Sequence, residues 1–416
     1  MANFSSDQLD AVFKAYDIRG TYDDQINEPL AWAIGNAFVV VTDADALVIG
    51  YDMRPSSPGL AAAFADGAAT AGADVTLIGL ASTDQLYFAS GLMERPGAMF
   101  TASHNPAQYN GIKLCRALAA PVGMETGLAE IKDLVARSEV KTHSLKGAIT
   151  DVDVLDAYAD FLLGLAPVAG RRLKVVVDAG NGMAGLTAPA VLGKLDLAVT
   201  EMYYELDGTF PNHEANPIEP ANLVDLQDKV RETGADIGLA FDGDADRCFL
   251  VDQAGALVSP SVLTALIAVR ELRKEPGAAI IHNLITSKGV PEIVAEHGGK
   301  PVRTRVGHSF IKAKMAETGA IFGGEHSGHF YFRDFWRADS GMLAALHALA
   351  ALAESEQTLS EVLLPYQRHV ASGEINSRVT DQQAVLTQIK QRYSGVDGVT
   401  IDELDGLSVI AADWWF

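Results

Sequence analysis

Apolar residues fall along this chain in two alternating patterns. Short continuous runs stand at 46–50 (ALVIG), 75–78, 98–101, 174–178 (KVVVD), 237–241, 278–281 and 320–322. A short apolar run without polar alternation is what a strand buried on both faces requires. Between these runs, 58–71, 184–192, 222–233 and 261–273 carry apolar residues at helical spacing. Strand–helix alternation of this kind predicts an α/β fold.

The alternation repeats at a coarser level. Three times a strand runs into a polar loop: GYDMRP at 50–55, DAGNG at 178–182 and HNLITSKG at 282–289. Each time a later strand opens into a denser polar loop: TASHNP at 101–106, DGDADR at 242–247 and GEHSGH at 324–329. Three similar mixed or parallel-sheet α/β units would thus each deliver one chemically loaded loop from a strand's carboxyl end, where open α/β sheets bind ligands. Polar linkers near 140–152 and 366–378 and a boundary near 252 divide the chain into 1–148, 149–252, 253–368 and 369–416.

Length agrees with this division, since 416 residues at roughly 150 per domain give about three domains. Charge narrows the partners. Lys and Arg total 32 against 54 for Asp and Glu, a formal charge of −22, which argues against nucleic acid or an anionic membrane surface. An anionic substrate would need cations gathered locally. Cys115 and Cys248 are too few and too far apart for a disulfide framework or a cysteine-built zinc site. Segment 1–20 lacks the apolar core of a signal peptide. The longest weakly polar stretches, 30–41 and 342–353, fall short of the roughly 18 residues of a membrane helix. The expectation is a soluble, cytoplasmic chain, monomeric or weakly self-associating.

The loops carry the chemistry. In DGDADR, Asp242, Asp244 and Asp246 alternate, so an extended loop would turn all three carboxylates to one side. Carboxylates held that close repel unless a cation lies between them, and oxygen ligands select a hard ion, Mg²⁺ or Ca²⁺. An EF-hand is excluded, because Arg247 and Gln253 stand where its Gly and Glu should be. TASHNP offers Ser103 as a hydroxyl nucleophile beside His104, although adjacent side chains in an extended loop point apart. A phosphorylated Ser103 would add hard oxygen ligands to the three aspartates. GEHSGH presents Glu325, Ser327 and His329 on one side, a set suited to sugar hydroxyls and to proton transfer. Cations lie next to these loops: Arg19, Lys113, Arg247, Lys288, Arg303 and Arg305, the last just before Gly307-His308-Ser309. A phosphorylated sugar would need them. The GNG at 180–182 is too short for a dinucleotide fingerprint, and no P-loop or H-E-x-x-H pattern is present.

TASHNP, DGDADR and GEHSGH in this order, with YDIRG near the start, NGIK after the serine loop and GHS at 307–309, resemble the α-D-phosphohexomutase superfamily. Within it the chain is most similar to the bacterial phosphomannomutase/phosphoglucomutase branch, because His326 stands where phosphoglucosamine mutases usually carry Gln. The resemblance implies four domains around a central cleft, with Ser103 as the phosphoserine. It implies Asp242, Asp244 and Asp246 holding one Mg²⁺ with that phosphate, and Glu325 and Ser327 gripping sugar hydroxyls. Arg247 would flank the metal loop, and Tyr16, Arg19, Lys113, Lys288, Arg305, Gly307, His308 and His329 would line the cleft as phosphate contacts or proton carriers.

The implied reaction interconverts hexose 1-phosphate and hexose 6-phosphate, of mannose or glucose, through hexose 1,6-bisphosphate as intermediate and activator. Lys113, His308 and His329 are the candidates for the general base. Two departures stand out. Relatives often carry Lys where this chain has Ile285, with Lys288 or Arg305 as substitutes. The fourth domain's phosphate-clamping loop is missing, since the chain stops at 407–416 (LSVIAADWWF), which reads as a truncated α+β domain ending on an unpaired apolar strand. Alternatives are a phosphoglucosamine mutase, a Mg²⁺-dependent sugar phosphatase or a weak sugar-phosphate-binding protein.

Overall fold

The computed structural model describes residues 4–416 apart from 374 and 376. The apolar runs become buried strands in three sheets. The first holds β1 (Ile18–Thr21), β2 (Ala46–Tyr51), β3 (Asp74–Leu80), β4 (Gly97–Phe100), β5 (Tyr109–Arg116), β6 (Ala120–Pro121) and β7 (Ile149–Asp151), ordered β1-β5-β4-β2-β3-β7 with β6 beside β5. The second holds β8 (Leu173–Asp178), β9 (Leu197–Met202), β10 (Ile237–Phe241), β11 (Cys248–Asp252) and β12 (Leu257–Val258), ordered β12-β11-β10-β8-β9. The third holds β13 (Ala279–Asn283), β14 (Lys300–Thr304), β15 (Phe322–Gly324), β16 (Phe330–Phe332) and β17 (Ala338–Asp339), ordered β17-β16-β15-β13-β14.

One topology serves all three. β2, β8 and β13 each lie between two parallel neighbours, and the later neighbour (β4, β10 or β15) reverses into an antiparallel strand (β5, β11 or β16). The three loaded loops are those reversals. The GYDMRP, DAGNG and HNLITSKG loops follow the central strands, so each sheet places both of its loops at one end. Strand pairing also locates the seams: β7, past the boundary expected at 148, pairs with β3, and β12, past that expected at 252, pairs with β11.

After the helices Gly341–Ala353 and Leu359–Leu363, which follow the third sheet, the chain forms the helix Gln382–Tyr393 and a hairpin of β18 (Thr400–Asp402) and β19 (Ser408–Ile410). The 407–416 segment does not lie as an unpaired strand, contrary to expectation. Phe416 and Val409 exchange backbone hydrogen bonds of 3.0 and 2.8 Å, and the rings of Trp414 and Phe416 stack.

The largest apolar cluster runs through all three units, from Leu86 and Phe88 through Tyr158 and Leu239 to Phe322 and Phe335. At its centre one carboxylate joins the units. Asp84, in the first turn of the helix Thr83–Met93, accepts hydrogen bonds from Tyr158 Oη at 2.7 Å, from Ser340 Oγ at 2.6 Å and from Ser82. Burial pushes its carboxyl up to about 6 against the pull of those hydroxyls. A raised folded-state value means stability that is full below the ordinary carboxylate range and lost as pH climbs toward about 6. Asp84→Asn abolishes this titration. The stability of the variant relative to wild type is expected to rise by on the order of 3 kcal/mol between about pH 4 and pH 7, as read by urea unfolding at both values.

Candidate active site

The strand β10 (IGLAF) is buried at every position and delivers DGDADR into the interior. The loop is a tight turn with Ala245 left-handed (φ 60°), not the extended strand that the alternation suggested. The turn still brings one oxygen of each of Asp242, Asp244 and Asp246 within 4.8 Å of the others, and all three residues are fully buried. Gly243 is required by close approach: a Cβ there would meet the Ser103 carbonyl oxygen at 2.5 Å. From the first unit, Thr83 Oγ1 donates to Asp244 Oδ2 at 2.5 Å and Thr83 N to the Asp244 carbonyl at 2.9 Å. Lys113 Nζ lies 2.6 Å from Asp244 Oδ2 and 2.6 Å from Asp246 Oδ2.

Burial alone would lower the Lys113 ammonium, but Asp244 and Asp246 outweigh it and hold the group above its ordinary range. Burial, then repulsion from Asp244 and Asp246, drives Asp242 well above the carboxylate range. Asp244 Oδ1 and Asp246 Oδ1 are buried without a hydrogen-bond partner. A lysine meeting one oxygen of each of two aspartates therefore leaves the cluster short of positive charge. The oxygen-only donor set and the two orphaned oxygens fit a hard divalent cation.

Ser103 is buried and left-handed (φ 50°). Its Oγ donates to Asp242 Oδ2 at 2.9 Å and lies 3.3 Å from His104 Nδ1. The expected divergence of these adjacent side chains is thus corrected by the left-handed turn, which brings them together. Burial, reinforced by the Arg247 and Arg19 charges, pushes His104 down to about 2, so its imidazole is neutral near pH 7. Arg19 reaches the same loop, with Nη1 donating to Asn105 Oδ1 at 2.6 Å and Nη2 to Asp17 at 2.5 Å.

The third loop meets the second through a backbone bridge between Arg247 and His329. Arg247 Nε donates to His329 Nε2 at 3.2 Å, which assigns the ring proton to Nδ1, 3.0 Å from Ser327 Oγ. Burial and Arg247 lower the His329 imidazole below its ordinary value, against Asp246, Asp339 and Glu325. Glu325 accepts from Tyr331 Oη at 2.6 Å and from Asn283 Nδ2 at 3.1 Å, with Ser327 Oγ at 3.5 Å. Arg247 also binds Asp242, its N donating to Oδ1 at 3.1 Å and its Nε lying 3.5 Å from Oδ2. Ser103, Lys113, Arg247, His329 and the aspartate triad form one connected set.

Other candidates lie apart from it. Tyr16 packs edge-on against Phe310, and a Cβ on Gly307 would stand 3.1 Å from Tyr16 Oη. Arg305 sits over Phe310 at 4.6 Å and 3.8 Å from Asp405. Lys288 donates to the Ala411 carbonyl and covers Trp415 at 5.0 Å, while Arg303 pairs with Asp402. The structure thus ties Lys288, Arg303 and Arg305 to the C-terminal segment and not to the aspartates. Ile285 is half exposed. His308 opens the helix His308–Thr318, and its side chain lies outside the described residues.

Sequence reasoning missed Thr83, which no motif marks, and Asn283, although it stands in a loop the repeat singled out. It also missed the buried pair Lys312–Asp339 at 2.8 Å, where Lys312 lies 4.0 Å from the Tyr87 ring centre. Lys312 stands beside the buried Ile311 and Met315 in the helix His308–Thr318, whose mixed sequence marks no site.

Comparison with known proteins agrees with this architecture. The model for phosphoglucomutase/phosphomannomutase, alpha/beta/alpha domain I, matches residues 10–141, that for domain II matches 156–255 and that for domain III matches 259–369. A phosphomannomutase of Salmonella typhimurium is 39% identical over 414 residues, covering 97% of this chain and 91% of that protein. A phosphomannomutase/phosphoglucomutase of Pseudomonas syringae is 36% identical over 420 residues, covering 97% and 89%. The crystal structure of a phosphoglucomutase/phosphomannomutase family protein from Burkholderia thailandensis superposes with a TM-score of 0.89 at 34% identity, over 97% of this chain and 89% of that one.

Proposed function

The chain belongs to the phosphoglucomutase/phosphomannomutase family, a family of phosphohexomutases in the isomerase class, and we propose that it moves the phosphoryl group between O1 and O6 of mannose or glucose through a phosphoserine at Ser103. The observation that carries this reading is Ser103 Oγ held 2.9 Å from Asp242 Oδ2, inside a triad of carboxylates that fits a divalent cation. Mg²⁺ held by Asp242, Asp244 and Asp246 would offset charge on the transferring phosphoryl group.

The protein's own groups do the rest. The Ser103 Oγ–P bond breaks as a bond forms from phosphorus to the free sugar hydroxyl oxygen, giving hexose 1,6-bisphosphate. The hydroxyl proton needs an acceptor. Lys113 is held protonated by Asp244 and Asp246, so its part is to neutralise charge. His329 is the neutral candidate: Ser327 lies against its Nδ1, and its Nε2 lone pair, met by Arg247 Nε at 3.2 Å, would take the proton once Arg247 turns to phosphate. After the bisphosphate turns around, Ser103 Oγ takes the other phosphoryl group and the released sugar oxygen regains a proton. Glu325 and Ser327 would accept from sugar hydroxyls, and Arg19 and Arg247 would meet phosphate. Tyr16 of the first unit and Lys288, Arg305 and Gly307 of the third would bind the non-reacting phosphate, with the C-terminal segment nearby.

The test is a coupled assay with mannose 1-phosphate and glucose 1-phosphate, primed with hexose 1,6-bisphosphate and Mg²⁺. Formation of the 6-phosphates is expected. Release of inorganic phosphate without isomerisation would instead mark a phosphatase.

A further inference from the structure

The GYDMRP loop recurs in the sequence pattern but has no part in the chemistry above. Its Arg54 is the largest fully buried side chain among the described residues. Every N–H of that guanidinium is used. Nη2 donates to the carbonyls of Ser103 at 2.9 Å and Asn105 at 2.6 Å, Nη1 to those of Pro106 at 2.8 Å and Tyr109 at 3.0 Å, and Nε to Asp52 Oδ2 at 3.2 Å. Four carbonyls of the serine loop thus converge on one planar cation. Asp52 is itself fixed, accepting from Arg54 N at 3.0 Å and Ser57 Oγ at 2.5 Å.

The other face of the guanidinium belongs to the second unit. The Phe210 ring centre lies 5.1 Å from Arg54 Cζ, and a Cβ on Gly208 would meet Arg54 Cα at 2.6 Å. The segment that carries Phe210 is anchored to the DAGNG loop, since Asp207 N donates to the Asn181 carbonyl at 3.0 Å. The same loop holds the metal loop, with Met183 N donating to the Gly243 carbonyl at 2.9 Å. The loops after β2 and β8 are therefore supports for the loops after β4 and β10.

A left-handed Ser103 needs such a support. That conformation costs a non-glycine residue roughly 1 kcal/mol, and it sets where Oγ points. Four carbonyls spread along seven residues, from Ser103 through Pro106 to Tyr109, cannot be gathered by a lysine, whose donors radiate from a single nitrogen. We infer that Arg54, capped by Phe210, is the positioning residue that locks the Ser103 loop against the metal loop and aligns Oγ for phosphoryl transfer. The inference rests on the reading of Ser103 as the phosphoryl carrier, and it adds a residue that touches neither substrate nor metal.

The test uses the full chain with Arg54→Lys and Phe210→Leu. Both variants and wild type are loaded with hexose 1,6-bisphosphate, phosphate on Ser103 is quantified by mass spectrometry, and kcat and KM for glucose 1-phosphate are measured well below the thermal midpoint. Arg54→Lys is expected to lower kcat about 100-fold with KM changed less than about threefold, because a misplacement near 1 Å costs that much. A purely structural role would lower the thermal midpoint and leave kcat in the folded enzyme alone. A folded Arg54→Lys enzyme with wild-type kcat, or one altered only in KM, overturns the inference. Should Arg54→Lys not fold, Phe210→Leu decides: a kcat lowered several-fold at constant KM supports the inference, and an unchanged kcat overturns it. Absence of phosphate on Ser103 in loaded wild-type enzyme would sink the serine reading itself. Normal loading of wild type with unimpaired transfer by Arg54→Lys would sink only the role of Arg54.

Discussion

Ser103→Ala is expected to lower turnover by about 10⁴-fold or more while the fold persists, because it removes the hydroxyl oxygen that carries the phosphoryl group. The scaffold around Ser103 is made by backbone atoms that alanine keeps: its N–H donates to Thr101 Oγ1 at 2.8 Å and its carbonyl accepts from Arg54 at 2.9 Å. Alanine tolerates the left-handed turn no worse than serine. What disappears is one hydroxyl donor to Asp242 Oδ2, leaving Arg247 Nε at 3.5 Å from that oxygen. The loss of one such bond costs about 1 kcal/mol, so the thermal midpoint should move by a few degrees at most. The coupled assay and mass spectrometry of the bisphosphate-treated variant check this. Near-normal activity, or phosphate still bound elsewhere on the chain, would remove Ser103 from the mechanism.

How far the sequence revealed this site follows from what kind of signal each part left. The loops were legible because three parallel strands of nearly continuous apolar residues end in polar residues, and a repeat of that pattern fixes where the loops lie in the sheets. β4, β10 and β15 end at Phe100, Phe241 and Gly324, next to TASHNP, DGDADR and GEHSGH. Local geometry was less legible. Alternation of Asp242, Asp244 and Asp246 suggested an extended loop, whereas the chain turns at Ala245 and clusters the carboxylates by that turn. Contacts between units left no local trace. Thr83 reaches Asp244 across 161 positions, and Asp84 meets Ser340 across 256, so only the folded chain makes them neighbours. The same limit hid the partners of Lys288 and Arg305: the sequence set them beside the polar loops, and only the fold shows that they meet Ala411, Trp415 and Asp405. Lys113 shows the gap most clearly. NGIK marked a cation near the serine loop, but its strength as a base depends on Asp244 and Asp246, which belong to another sheet.

Asp242→Asn should separate stability from activity at the metal loop. In the protein without divalent cation, burial and the two neighbouring carboxylates drive Asp242 well above its ordinary range. A carboxyl raised in the folded state favours folding at low pH, and that contribution is lost as pH rises above the ordinary carboxylate range. The amide fits the same space: Oδ1 keeps the Arg247 N–H bond, now at 3.1 Å, and Nδ2 can donate to Ser103 Oγ in place of accepting from it. The chelated variant is therefore expected to be more stable than chelated wild type by on the order of 2 kcal/mol. Activity should move the other way, falling about 10²- to 10³-fold, because a neutral amide holds a hard cation poorly and leaves the transferring phosphoryl group less well stabilised. Titration with Mg²⁺ reads both effects on one sample. Wild type should gain thermal stability as the ion binds, by about 2.7 kcal/mol at a hundred times Kd, and should lose turnover when the ion is chelated. Asp242→Asn should show little of either response. A variant that stays active in chelator, or a wild type whose melting ignores Mg²⁺, would mean that Lys113 alone balances Asp244 and Asp246 and that no cation sits among the three carboxylates.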